Sequence, residues 1–427
     1  MASKTIKEKE AELEAKKDVK KQEIIRFPTG IAVLDCMLSE GRGSTQMGYP
    51  TSMMMRLNSH SKAGKTRLAL EAIYSMLLYY GKDNVEYLFI DAERGMSIDT
   101  DACYGFSLSE KDGTLDQSIE TIDQMQVLVS EFCKKKDPKK KGIIVVDSLD
   151  ALPDAEAFNK LEERTKQQKK DGKVDTIKSY GMTKAKLLRE ILSTCNGIVS
   201  THNTHFLVIQ QVTTNVNAGM FEKKDTTNGG TAPGFFTTVT LELKRKESYG
   251  PDKEHEIGYL LEVFGDKTRT KYERRKAYIA VDHEIGFDRV KSDLIFLYDL
   301  LTDIKKLDTT KASALKWYDK WDSSKADEQV EAITKDQYKE FVEKYDLDSM
   351  LVEQYGKRTL GNIKKMIREN PDIYENFVKD YNVFDLDSLC AWIEDNGLEE
   401  ELRRRTIDKF YTIEEGLRPI ERKRKRL

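Results

Sequence analysis

The chain is 427 residues long, with 34% charged residues, 39% hydrophobic residues and a formal net charge of −3. That length accommodates one large core domain and a smaller one, while a near-neutral balance excludes a uniformly basic nucleic-acid binder and leaves only local basic patches for such a role. No apolar run approaches the roughly 20 residues of a membrane span, and the five cysteines (Cys36, Cys103, Cys133, Cys195, Cys390) are dispersed without a Cys-x-x-Cys pair, so no membrane role and a reducing, cytoplasmic setting are expected.

Residues 4–22 are almost wholly Lys, Glu, Ala, Asp and Gln, a composition that favours helix but offers little to bury. They read as a protruding arm. Glu23 to Phe27 reads as a short strand ended by Pro28-Thr29-Gly30. The apolar run Met53-Met54-Met55-Arg56-Leu57 is strand-like. After it comes Ser59-His60-Ser61-Lys62-Ala63-Gly64-Lys65-Thr66-Arg67, and then a helical apolar face at Leu68, Leu70, Ala72, Ile73, Leu77 and Leu78. Strand, loop and helix are the setting of a phosphate-binding loop. Gly64 lets the backbone approach a phosphate, Lys65 supplies a compact positive charge, and Thr66 offers a hydroxyl suited to Mg²⁺. Ser59 stands where the usual pattern has its first glycine. Backbone angles that a serine tolerates poorly are expected there, with a cost in nucleotide affinity.

Further strands are expected at 86–90, 143–147 and 205–210, beside that at 52–57, with helices at 65–80, 115–135 and 180–201. Strands separated by helices imply a mostly parallel, doubly wound α/β sheet. The runs 236–245, 257–264 and 276–282 alternate without helices between them and suggest an antiparallel extension. A helix near 291–304 would close the core. Ligands gather at the carboxyl ends of parallel strands. Asp147, ending Ile143-Ile144-Val145-Val146, is placed to hold Mg²⁺ opposite Thr66. Past Tyr87-Leu88-Phe89-Ile90, both Asp91 and Glu93 could act as the general base for hydrolysis. Gln211, past Phe206-Leu207-Val208-Ile209-Gln210, can donate to a phosphate oxygen and accept from a water. It heads the Gly/Asn/Thr-rich segment 213–230. A second polar segment, 159–179, is rich in Lys and Gln. His202 and His205 read as structural or surface residues. Beyond about 305, Trp317, Trp321, Tyr338, Phe341 and Tyr345 among many charges suggest short helices. The tail Arg422-Lys423-Arg424-Lys425-Arg426 is basic, more often a solvated run than a binding site. The divisions expected are 1–44, 45–305 and 306–427.

Taken together, Phe89-Ile90-Asp91-Ala92-Glu93, Val145-Val146-Asp147-Ser148-Leu149 and Thr226-Thr227-Asn228-Gly229-Gly230-Thr231-Ala232 resemble the RecA recombinase family in order and spacing. Met182-Thr183-Lys184-Ala185-Lys186, Gly229-Gly230-Thr231-Ala232-Pro233 and Asp266-Lys267-Thr268-Arg269-Thr270 look like its phage, UvsX-like branch. The resemblance covers about 28–300. It implies a RecA-like P-loop ATPase core with an N-terminal arm and a small α-rich C-terminal domain. ATP and Mg²⁺ would be the cofactors. Glu93 would be the base, Gln211 the γ-phosphate sensor, and Lys267 and Arg269 cations reaching the nucleotide of the next subunit. Tyr104 would stand in for an adenine-stacking tyrosine. The segments 159–179 and 213–230 would be DNA loops, with Lys169, Lys170, Met220, Phe221, Lys223, Lys224, Gly229 and Gly230 at DNA. Ile24, Ile25 and Phe27 would add to a neighbour's sheet, and Phe235 would join that interface. The implied activity is that of a DNA-dependent ATPase and recombinase, forming helical filaments on single-stranded DNA and exchanging strands with duplex DNA without sequence specificity. A loading mediator and a single-strand-binding protein would be partners. The alternatives are a filament or regulatory relative with little hydrolysis, supported by Ser59, and a hexameric helicase on the same core.

Overall fold

The computed structural model describes residues 25–155, 158, 181–214, 225–227, 232–251, 254–302, 306–313, 315–317, 330, 335–381 and 383–417. Of the sequence-derived features, the arm at 4–22, Ile24, Lys169, Lys170, Met220, Phe221, Lys223, Lys224, Gly229, Gly230 and the basic tail lie outside the described residues. The chain divides into two units. One runs to Arg289 and resumes at Ile407; the other is Val290–Thr406.

The first unit is built on β1 (Arg26–Phe27), β2 (Tyr49–Pro50), β3 (Met54–Ser59), β4 (Val85–Asp91), β5 (Leu115–Asp116), β6 (Lys141–Asp147), β7 (Thr204–Thr214), β8 (Asp225–Thr227), β9 (Val239–Tyr249), β10 (Gly258–Lys267), β11 (Lys276–Asp282) and β12 (Gly286–Asp288). The main sheet has the order β12-β11-β10-β9-β3-β7-β6-β4-β5. Strands β9, β3, β7, β6, β4 and β5 run parallel. β10, β11 and β12 continue antiparallel. This is the expected parallel sheet with its antiparallel extension. The helices are α1 (Ala32–Met37), α2 (Lys65–Tyr80), α3 (Thr100–Tyr104), α4 (Ile122–Lys135), α5 (Gly181–Thr201) and α6 (Ala232–Phe236).

The middle strands β4, β6 and β7 carry unbroken apolar runs, Leu88–Ile90, Ile143–Val146 and Phe206–Ile209, because both faces of the sheet are covered there. On one side Met125, Val129 and Cys133 of α4 and Leu188, Ile191, Leu192 and Cys195 of α5 pack on Leu88, Ile90, Ile144, Val146, Phe206 and Val208. The helix α2 starts at Gly64 (φ 84) and stops at Gly81 (φ 85), two positions where the left-handed backbone favours glycine.

Four expectations need correction. The helix placed at 115–135 begins only at Ile122, because Leu115 and Asp116 pair with β4 and the Asp116 carboxylate then turns the chain by accepting from Ser118 N and Ile119 N. Thr121 and Gln124 close a capping box that sets the real start. The helix placed at 291–304 is α7 (Arg289–Leu297), and Asp299 at φ 52 ends any continuation. The segment 213–230 is not all loop: β7 extends to Thr214, and β8 returns antiparallel with Thr213 opposite Thr226. Phe27 does not reach for a neighbour. It pairs with Tyr49 of its own chain, and its fully buried ring packs on Tyr49, Tyr80 and His205. His205 thereby becomes a core residue, with Nδ1 2.6 Å from Pro50 O, while His202 stays at the end of α5, where Asn203 (φ 51) turns the chain.

The second unit contains α8 (Lys335–Lys344), α9 (Asp348–Tyr355), α10 (Leu360–Glu369), α11 (Pro371–Tyr381), α12 (Leu386–Asp395) and the start of α13 (Glu399–Gly416). Tyr338, Phe341, Ile363, Met366, Ile367, Tyr374 and Phe377 make its core. This unit is the expected α-rich domain with different limits. It starts at Val290 rather than 306, and the chain from Ile407 belongs to the first unit. There Tyr411 bonds Ser39 Oγ and Gly41 O, and Glu415 and Glu414 pair with Arg42 and Arg275.

Candidate functional site

Register brings the site together before any side chain is considered. β3 and β7 align Ser59 with Gln211, and β4 and β6 align Asp91 with Asp147. Since β6 lies between β7 and β4, all four residues come to the same carboxyl edge of the sheet, where the α2 N-terminus begins. That edge is where α/β sheets bind ligands.

The loop does not strain Ser59. The left-handed positions are Lys62 (φ 62) and Gly64 (φ 84), and Ser59 is not among the residues of positive φ. The expectation of poor backbone angles at Ser59 is therefore corrected: the turn is made later in the loop. The serine acts through its hydroxyl instead. Ser59 Oγ accepts from Lys65 Nζ at 3.0 Å and donates to His60 O at 2.7 Å. Lys65 Nζ also donates to Ser59 O at 3.1 Å and His60 O at 2.9 Å. The ammonium thus caps the loop that a phosphate would fill. Burial holds the Lys65 pKa below the usual lysine value, against the opposing pull of Asp147, Glu93 and Asp150.

Thr66 Oγ1 donates to Asp147 Oδ2 at 2.5 Å. A hydroxyl and a carboxylate oxygen in contact at the foot of the loop are hard oxygen donors of the kind Mg²⁺ takes, and the pair fits that ion. Burial pushes the Asp147 carboxyl up to about 6; the Thr66 bond and Lys65 oppose this, and Glu93 and Asp91 add to it.

Glu93 and Asp91 are separated by their partners. Asp91 accepts from Gly95 N, Met96 N and Gln117 Nε2, the last at 2.7 Å. It is occupied in holding the chain after β4. Glu93 is exposed, and its Oε1 accepts from Ser148 Oγ at 2.5 Å and Gln211 Nε2 at 2.9 Å. Gln211 N in turn donates to Asp150 Oδ2 at 2.5 Å. The structure brings Ser59, Lys65, Thr66, Glu93, Asp147 and Gln211 into one cluster, and adds Ser148 and Asp150, to which sequence reasoning assigned no site role although they lie one and three residues after Asp147.

Other expected residues lie elsewhere or have other partners. Arg67 donates to Asp282 O and His283 O, both at 3.0 Å, binding α2 to the end of β11. His60, Ser61 and Lys62 are exposed on the loop and Ala63 is buried beneath it. Tyr104 is only 7% exposed and packs on Tyr74 and Phe106, as a core ring. Its position as an open stacking platform is not what the fold provides. Lys267 Nζ donates to Gly234 O at 2.8 Å within the chain. Ile25 (43% exposed), Phe235 (64% exposed) and Arg269 line one 310 Å³ cleft, with the Arg189 guanidinium 6.0 Å from the Phe235 ring centre. A residue with no motif to announce it also touches the loop: a Cβ on Gly64 would lie 2.6 Å from the Tyr259 hydroxyl of β10, so the antiparallel extension buttresses the glycine.

A parallel α/β sheet with a Gly-Lys-Thr loop and strand-end carboxylates defines a P-loop class of nucleotide-binding protein. Within that class, the chain belongs to the RecA family, whose N-terminal domain it matches over residues 7–288. Among similar proteins, the plasmid protein RecA of Lactococcus lactis subsp. lactis is 29% identical over 227 residues. That alignment covers 53% of this chain and 56% of the relative, so the chain spans little more than half of that protein's length. Protein RecA of Mycoplasma mycoides subsp. mycoides SC is 24% identical over 323 residues, 72% of this chain and 83% of the relative. A crystal structure of the RadB recombinase is similar over 61% of this chain and 98% of its own, at 19% identity and a TM-score of 0.40.

Proposed function

We propose that this protein is a DNA-dependent ATPase and recombinase of the phage, UvsX-like branch, assembling as filaments on single-stranded DNA for homology search and strand exchange. The observation that carries the reading is the Gln211–Glu93–Ser148 contact beside the Lys65 loop: a carboxylate within reach of an amide of β7 at the carboxyl edge of β3, next to a phosphate cradle. Glu93 would accept a proton from the water that attacks the terminal phosphate of ATP, yielding ADP and phosphate. Thr66 and Asp147 would hold Mg²⁺, which supplies charge neutralisation when bound. Gln211 would leave Glu93 for a phosphate oxygen and report nucleotide to β8 and the segment it heads.

Lys65 would exchange three loop oxygens for the nucleotide. Positive charge from Lys267 and Arg269 of a neighbouring subunit would add to it. DNA contacts would come from 159–179 and 213–230 through stacking and phosphate pairing. The Ser59 grip on Lys65 supports weak nucleotide binding by a lone protomer, the one feature favouring a relative with little hydrolysis. Steady-state ATP hydrolysis with and without single-stranded DNA, with electron microscopy of the same samples, tests the proposal. DNA-stimulated turnover on helical filaments is expected, and Lys65→Ala should lose both. Strand exchange by Lys65→Ala at the wild-type level, or closed rings in place of filaments, would refute it.

A further inference from the structure

Every residue of β3 is buried, and one of them is an arginine. Arg56 stands opposite Val208 of β7 and Thr240 of β9, in the middle of the sheet, and is 7% exposed. Nη1 donates to Gln210 Oε1 at 3.0 Å, while Nε has no acceptor. Among the described residues no carboxylate pairs with the guanidinium; Asp266, Glu242 and Asp150 act on it only at longer range. A Cβ on Gly234 would lie 3.6 Å from Nη2, and the Gly234 carbonyl is the acceptor of Lys267 Nζ. A buried cation without its counter-ion is costly, and an apolar side chain of similar volume would pack there at less cost. Packing alone therefore does not account for Arg56.

Its neighbours supply a reason. Gln210 and Gln211 are adjacent on β7 and point to opposite faces. Gln211 reaches Glu93 at the nucleotide edge, and Gln210 reaches Arg56. We infer that Arg56 is a positioning residue that ties the end of β7 to the Gly234 corner, so that a displacement of Gln211 by nucleotide is passed to α6 and Lys267. The inference rests on the proposed nucleotide reading of Gln211. Nη2 lies close enough to Gly234 that a Cβ there would stand in ordinary contact with it, and a single rigid guanidinium spans from β7 to α6 where two flexible contacts would not stay in step. The test breaks the link through Arg56 without emptying the nucleotide site.

Hydrogen exchange over 59–66, 204–214 and 232–236 should be followed in the full-length protein with and without AMP-PNP and Mg²⁺. In the wild type, nucleotide is expected to slow exchange about tenfold in all three segments. In Arg56→Met the response at 59–66 should persist, with AMP-PNP affinity within about threefold of wild type, while the response at 232–236 is lost. A purely structural role would lower the melting temperature and leave the 232–236 response in place. If Arg56→Met does not fold, the double variant Arg56→Met/Gln210→Met, which removes both polar partners together, carries the same test. Retention of the 232–236 response in either folded variant overturns the inference. So does a wild type that binds AMP-PNP without any response there. A wild type that binds no nucleotide instead overturns the functional reading on which the inference stands.

Discussion

At the residue scale, the phosphate loop is held by its own lysine, and Ser59 supplies two of the three oxygens that hold it, one of them through its hydroxyl bond. That bond must break when a phosphate arrives. Ser59→Ala keeps the backbone and removes only the hydroxyl, so nucleotide binding should tighten by about 1 kcal/mol, roughly fivefold. A fluorescent ATP analogue titrated into both proteins measures this, and weaker binding by the variant would contradict it. Asp147 makes a prediction of opposite signs for binding and stability. Its carboxyl sits at about 6 in the fold, well above its ordinary value. Mg²⁺ needs the ionised form, so Mg·ATP affinity should fall about tenfold per pH unit as pH drops below about 6. The fold favours the protonated form, so this group's contribution to stability should rise as pH falls from about 6 towards 4. Binding isotherms and denaturant midpoints across that range check both slopes, and Asp147→Asn should flatten them.

At the scale of elements, α2 is secured to the chain that follows β12 by a charge pair. Glu71 is 3% exposed, and its Oε1 accepts from Arg289 Nε at 3.1 Å and Nη2 at 2.6 Å. Arg289 also lies over the Tyr74 ring, 5.0 Å from its centre. Removing one partner leaves the other without a counter-charge. Glu71→Leu should therefore cost about 2–4 kcal/mol, a value tempered by the partial exposure of Arg289. Glu71→Leu with Arg289→Leu should recover part of it. Urea unfolding of the three variants decides, and a loss below about 1 kcal/mol for the single change would show that the pair is not a structural fastener. Legibility also differed by element. The strands at 85–91 and 141–147 and the helix at 65–80 were readable because unbroken apolar runs and a marked periodicity name them locally. The start of α4 was not, because Leu115 and Asp116 join β4 through pairing that no local pattern records.

At the scale of the molecule, Lys65 is held by its own loop and Lys267 is bonded within its own chain, and on the proposed reading a neighbouring subunit completes the site. ATP affinity should then rise with protein concentration as filaments form, measured by nucleotide binding beside light scattering; equal affinity for dispersed and assembled protein would count against a shared site. The sequence by itself determined the sheet class, the Gly64-Lys65-Thr66 loop and the positions of Asp91, Glu93 and Asp147 at or just past their strand ends, since each depends on residue type and spacing along a few turns of chain. Gln211 instead lies inside β7, which runs on to Thr214 to pair with β8. Only the tertiary structure shows how differently Asp91 and Glu93 are placed, Asp91 taken up by Gln117 and Glu93 reached by Gln211 and Ser148. It also turned Phe27 and Tyr104 inward and located Arg56 against Gly234. These outcomes depend on strands and helices far apart in sequence meeting at a fixed register, and no local pattern of residues encodes such a meeting.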